Sequence, residues 1–180
     1  TGATALSITS ANTTGTINLN GANYITFDGR AGGAGASQLT IANTATAGYA
    51  VQFINNAAFN TIKYCNVTGV TTGTTNGVIA FSTAVALAAG NSNNTIDNCD
   101  IHAGATTPTN LIYCSGTATS FAIQNNSNTI SNSRLYDWFN ASSTTAGAAI
   151  NITAGASDWT INANSFYQTV SRTFTMTSAT

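Results

Sequence analysis

Short stretches of alternating apolar and polar residues recur along the chain, and they fall into two families. The first is N-T-I-x-x-(C/S)-x-(V/I/L). It is written at NTIKYCNV (60–67), NTIDNCDI (94–101) and NTISNSRL (128–135), each copy 34 residues after the one before. A looser copy, WTINANSF, starts at Trp159, 31 residues further on, and a weaker one begins near Asn23 in NYITFDGR. The second family lies between these: AVQF (50–53), VIAF (78–81), LIYC (111–114) and AINI (149–152). Such alternation over a short span is the pattern of a strand with one buried face. The intervening stretches, such as VTTGTTNG and NASSTTAG, are rich in Gly, Asn, Ser and Thr and read as loops. Helix is not expected, because long helix-forming side chains are few and β-branched ones many.

Short strands repeating at this period predict a stacked array, in which each copy is one coil of a parallel β-helix. The side chains then sort by direction. Ile62, Cys65 and Val67 point inward, as do Ile96, Cys99 and Ile101, and Ile130, Ser133 and Leu135. Two residues separate the first inward position from the second, so the chain bends there. Asn98 and Asn132 occupy the bend, where Asn tolerates a left-handed conformation. Tyr64 and Ala163 hold that place in the neighbouring coils, so an asparagine ladder at the bend would be partial. The expected organisation is one all-β domain or segment of about five coils. Residues 1–22 form a less regular N-terminal part, 23–170 the repeat coils, and 171–180 a last strand or the start of another coil.

The N-x-I-x-N-C-x-I string resembles the coils of the right-handed parallel β-helix superfamily, the pectate-lyase-like architecture. The resemblance covers about residues 20 to 170 as a repeat pattern. The stretch YITFDGRAGGAGASQLTIANTATAGYAVQFINNAAFNTIKYCNVTG is similar to repeats in very large secreted surface proteins of Bacteroidetes exported by the type IX system. That likeness implies a segment of a longer extracellular protein at the cell surface, and the lack of an obvious capping helix at either end agrees with it.

Charge narrows the function classes. Charged residues make up 5% of the chain: five Asp, no Glu, three Arg and one Lys, with a single His. A net charge of -1 supplies no field to draw in nucleic acid or an anionic membrane. No apolar run approaches the roughly 20 residues of a spanning helix. Neither a nucleic-acid partner nor membrane insertion is expected. The cysteines, Cys65, Cys99 and Cys114, have no C-x-x-C spacing, and one His does not complete a usual zinc site with them. No metal and no cofactor are expected. Cys65 and Cys99 stack on the core side, where a disulfide between rungs is conceivable, and Cys114 reads as core.

The densest chemistry lies in NTIDNCDIHAG (94–104), with Asp97, Asp100 and His102. The 34-residue register stacks Asp97 between Lys63 and Ser131, Asp100 between Asn66 and Arg134, and His102 between Thr68 and Tyr136. On that basis Asp97 pairs with Lys63, and Asp100 with Arg134, as exposed ion pairs worth about 0–1 kcal/mol each. Glycoside hydrolysis needs two carboxylates flanking one bond, and Asp97 and Asp100 fall on opposite sides of the bend. Polysaccharide lyases of the resembled architecture use a calcium site of several acids with a basic residue. Its polygalacturonase-like members carry an Asp-Asp pair with nearby His and Arg-x-Lys. This chain has no Asp-Asp pair, no Glu and no Arg-x-Lys. No catalytic residue is assigned. Asp28-Gly29-Arg30 reads as a turn with a local ion pair, and Phe53 and Phe81 as an internal aromatic stack.

The expected ligand-binding candidates are Asp100, His102, Arg134, Tyr136 and Tyr167, an outward strip to which Trp138 and Phe139 add aromatic surface. The leading expectation is a non-catalytic structural or adhesive segment of a long extracellular cell-surface protein. Its expected partners are other parts of the parent chain or a surface assembly, with polysaccharide as a further candidate. One alternative is a carbohydrate-binding or polysaccharide-degrading β-helix. Another is an ice-binding solenoid, for which the column Thr61, Thr95, Thr129 and Thr160 is the available Thr array.

Overall fold

The structure, a computed structural model, describes residues 5–82, 89–141 and 146–173. Three parallel sheets run the length of a β-solenoid of about four full turns. The first sheet stacks Leu6–Ser10, Leu39–Asn43, Cys65–Gly69, Asp100–Ala103, Arg134–Tyr136 and Ser165–Tyr167. The second stacks Gly15–Asn20, Tyr49–Ile54, Ile79–Phe81, Asn110–Cys114 and Ala148–Ile152. The third stacks Thr26–Asp28, Thr61–Lys63, Thr95–Asp97, Thr129–Ser131 and Thr160–Asn162. Asn125–Asn126 and Ala156–Ser157 add a short fourth ladder. The chain visits first, second and third sheet in turn, and each circuit is one coil. Among the described residues helix is confined to two three-residue 3-10 turns, and no helix is long and apolar enough to cross a membrane.

The core is a set of vertical columns, because a strand laid in register on its neighbour repeats the neighbour's inward positions. Phe27, Ile62, Ile96, Ile130 and Ile161 form one column of the third sheet. Ile8, Ile41, Val67, Ile101, Leu135 and Phe166 form another in the first sheet. The middle members are fully buried, whereas Ile161 is 43% and Phe166 49% exposed. The sequence pattern expects both of these buried. They are not, because they lie on the last rung of each ladder and no described strand covers them. Leu6 and Ile8 are exposed for the same reason on the first rung. Residues 6–20, read from sequence as the less regular part, form two strands paired in register with the next coil. Residues 174–180 lie outside the described residues, so a further strand there is left open.

In the second sheet Phe53 and Phe81 stack inside the core at 4.4 Å, and Trp159 meets Phe81 edge-on at 4.8 Å. Cys65 and Cys99 are buried neighbours, followed by Ser133, whose Oγ accepts the Cys99 N–H at 3.1 Å. All three cysteines are free and buried. Burial pushes the Cys114 thiol up to about 11, with the Asn125 amide opposing.

Two buried asparagine ladders hold the corners. Asn94 Oδ1 accepts both the backbone N–H and the Nδ2 of Asn60 at 3.0 Å. Asn128 Oδ1 accepts the same two groups of Asn94 at 2.9 and 3.1 Å. Asn125 repeats this toward Asn91. Each amide satisfies backbone groups that a turn would otherwise leave buried and unpaired. The bend between the third and first sheets is left-handed at Tyr64, Asn98, Asn132 and Ala163, with φ between 51° and 52°.

Candidate functional site

Because Asp100–Ala103, Arg134–Tyr136 and Ser165–Tyr167 lie in register, alternate residues stand outward in two adjacent columns. One column runs Asn66, Asp100, Arg134 and Ser165; the other runs Thr68, His102, Tyr136 and Tyr167. All five ligand-binding candidates therefore share one face of the first sheet. Arg134 donates from Nε and Nη2 to the two oxygens of Asp100, a bidentate pair. The arginine side chain is 59% exposed, so solvent screens the pair and its contribution stays at about 0–1 kcal/mol.

His102 stacks on Tyr136 at 4.5 Å, and Tyr136 on Tyr167 at 4.9 Å, with interplanar angles of 12° and 10°. Stacking along the solenoid axis spends the ring faces on each other. Tyr136 is covered on both sides and offers only its edge. Tyr167 is 38% exposed. Both His102 nitrogens are engaged, Nδ1 at 2.7 Å from the Ala103 carbonyl oxygen and Nε2 at 2.8 Å from Asn66 Oδ1. Both nitrogens are thus turned toward oxygens of the scaffold. Trp138 leaves the strip, since it packs against the core.

Asp97 belongs to the third sheet, across the Asn98 bend from Asp100. Its register partners are Lys63 and Ser131. Its bonds are different from those the register suggests. Asp97 accepts from Ser131 Oγ at 2.7 Å, Asn132 Nδ2 at 2.8 Å and Asn98 Nδ2 at 2.7 Å. Burial raises the Asp97 pKa, but these three donors, with help from the Lys63 charge, outweigh it and hold the carboxyl below its ordinary value. Lys63 turns the other way, to Asp28 Oδ2 at 3.4 Å. The expected Asp97–Lys63 ion pair is therefore not formed. Asp28 sits on the preceding rung, and Asp97 is satisfied by neutral donors.

Asp28 also binds Arg30 in a local fork, Nε to Oδ1 at 2.9 Å and Nη2 to Oδ2 at 2.8 Å. The guanidinium holds the Asp28 carboxyl well below the usual carboxylate range and lies 3.6 Å over the Tyr64 ring. Between them Gly29 passes so close to the next coil that a Cβ there would stand 1.8 Å from the Tyr64 carbonyl oxygen. At the far end Asp137 accepts from the Thr169 N–H at 2.8 Å and Arg172 Nη2 at 3.4 Å, and Arg172 Nη1 reaches Thr107 Oγ1 at 3.1 Å. Among the described residues no group of three or more His, Cys, Asp or Glu could hold a metal ion.

The Thr column is one member longer than its sequence motif, running Thr26, Thr61, Thr95, Thr129 and Thr160. The outward column beside it carries Asp28, Lys63 and Asp97. One exposed aromatic pair escaped the sequence reading: Tyr24 and Phe59 stack at 5.0 Å with an interplanar angle of 8°. The signal was available, since Phe59 directly precedes the motif start at Asn60, where the next coil has Asn93 before Asn94.

Comparison with protein-family models, with curated proteins and with solved structures finds no match for this chain.

Proposed function

We propose that the chain is a non-catalytic structural and adhesive segment of a long extracellular cell-surface protein, a stretch of right-handed solenoid of the kind found in type IX-exported surface proteins. The observation that carries this reading is the rung-to-rung repetition itself. The inward columns keep one register through successive rungs, so one simple pattern gives length and stiffness with few special residues. In a solenoid each coil buries its face on the next, so stability grows with coil number. The charged groups support the reading as well, because Asp100 and Asp97 are occupied by partners on their own scaffold. The test is surface display: antibodies against the segment should label intact, unpermeabilised source cells. Label confined to permeabilised cells would overturn it.

A second reading, a carbohydrate-binding or carbohydrate-degrading β-helix, is favoured by one observation. Asp100, His102, Arg134, Tyr136 and Tyr167 come together on one face. It ranks lower because the stacked rings show edges, and Asp100 is neutralised by Arg134. Ice binding ranks third. Its Thr column is regular, but the neighbouring charges at Asp28, Lys63 and Asp97 disturb the flat hydroxyl array that reading requires.

A further inference from the structure

We infer that Asn66 turns its side-chain amide over when His102 gains or loses a proton, a pH-driven relay that runs through three successive coils on the outward face of the first sheet. The relay is independent of the structural and adhesive reading and of whatever the strip touches.

The Ala103 carbonyl oxygen lies 2.7 Å from His102 Nδ1, and Asn66 Oδ1 lies 2.8 Å from Nε2. A backbone carbonyl only accepts, and so does an amide oxygen. Both contacts are hydrogen bonds only when both ring nitrogens carry a proton, which is the imidazolium. The arrangement is that of the charged ring. A neutral ring has one N–H, so one of the two contacts would set a lone pair against an oxygen.

Mobility decides which contact changes. The Ala103 carbonyl belongs to the strand Asp100–Ala103, held in register on Cys65–Gly69, and has no proton to offer. Nδ1 therefore keeps its proton in both charge states, and Nε2 is the nitrogen that releases one. Once Nε2 holds a lone pair it needs a donor, and the other end of the Asn66 amide supplies it. Asn66 Nδ2 now donates to Thr40 Oγ1 at 3.3 Å. Turning the amide over brings Nδ2 to the imidazole and Oδ1 to Thr40, whose hydroxyl donates as well as it accepts. Either orientation satisfies all three groups. The ring itself stays in place, tied to Ala103 and stacked on Tyr136 at 4.5 Å. A cation within about 6 Å of a tyrosine face is favourable, so the stack suits the charged ring too.

No charged group takes the place of the amide, since the ring nitrogens meet neutral oxygens. On its own strand the outward neighbour is Asp100, bound to Arg134 of the next strand. That strand also brings Tyr136, with Tyr167 stacked beyond it, and is followed by Asp137, bound to Arg172. The preceding strand sets the neutral Asn66 and Thr68 beside Asp100 and His102. Thr40, Asn66 and His102 stand on three successive strands of the first sheet, so one proton resets hydrogen bonds across three coils.

His102 is the one histidine of the chain, so every imidazole signal belongs to it. The experiment follows the isotope-labelled wild-type protein through a pH titration by long-range proton–nitrogen correlation spectra, with nuclear Overhauser contacts of the Asn66 amide protons recorded at each end. At the acid end both ring nitrogens should have pyrrole-like shifts, and the amide protons should contact the Thr40 methyl group. At the alkaline end Nε2 alone should move to the pyridine-like range while Nδ1 stays pyrrole-like, and the amide contacts should pass to the His102 ring protons. An Nε2–H tautomer at the alkaline end, alone or mixed, overturns the relay. So do amide contacts that stay on Thr40 at both ends, or ring nitrogens that do not change across the pH range in which the protein stays folded.

Discussion

Lys63 and Asp97 stand directly opposite each other on adjacent rungs, yet the ammonium bonds to Asp28 at 3.4 Å and the carboxylate to Ser131 and Asn132. Register decides which residues are neighbours, and local donors decide which of them bond. A double-mutant cycle should read this directly. Coupling between Lys63 and Asp97 should be the smaller of the two, and coupling between Lys63 and Asp28 about 0.2–1 kcal/mol. Denaturant unfolding of Lys63→Met, Asp97→Asn, Asp28→Asn and the two doubles measures both. A larger coupling for Asp97 than for Asp28 would contradict the assignment.

The asparagine ladder carries more. Asn94 accepts two N–H groups of Asn60 and donates to the Ala57 carbonyl at 2.9 Å, all within the core. Asn94→Ala strands these groups away from water, each unpaired group costing about 1–3 kcal/mol. The expected loss is about 3–5 kcal/mol by urea unfolding, several times that of Asp97→Asn. A loss under about 1 kcal/mol would mean the ladder is not what holds the corner.

Much of this was legible beforehand, and the division has a physical basis. The NTI repeat made the period readable because stacked strands must repeat their inward residues, so Ile62, Ile96 and Ile130 align as expected. The Asp100–Arg134 pair and the His102–Tyr136–Tyr167 strip follow from the same register. The partner of Lys63 did not follow, because Asp28 lies in a copy too degenerate to align from sequence. The burial of Ile161 and Phe166 was misjudged because the pattern of a strand carries no mark of whether another strand follows it. The role of the motif's first Asn was missed because a buried amide is defined by its partners a coil away.

Acid stability should follow the carboxylates. Asp97 and Asp137 are held below their ordinary value: burial raises each, but hydrogen bonds and nearby cations win. A group lowered in the folded state releases its proton first there, so it stabilises above its unfolded value, about 3.9. That stability disappears as pH falls through the folded value. Urea midpoints should be flat from pH 7 to about 5 and drop below about pH 4. Asp97→Asn should shrink the drop. An equal drop in the mutant would exclude Asp97 as a contributor.

The thiols should be silent in the folded protein. Cys65, Cys99 and Cys114 are buried, and the hydrogen bond that the Cys99 thiol donates to Cys65, together with burial, pushes the Cys99 thiol up. Ellman's reagent at pH 8 should report no rapidly reacting thiol natively and three in urea. A fast native phase would place at least one cysteine outside the core.

The non-catalytic reading is tested most directly by turnover. The wild-type protein is incubated with plant, algal and bacterial polysaccharides, and release of reducing or unsaturated ends is followed. Any positive is repeated with Asp100→Asn. The account predicts no turnover on any polymer, with Asp100→Asn folding normally and losing less than about 1 kcal/mol. Clear turnover that falls by about 10²- to 10⁴-fold in Asp100→Asn, with the fold intact, would contradict it and make Asp100 a general acid or base.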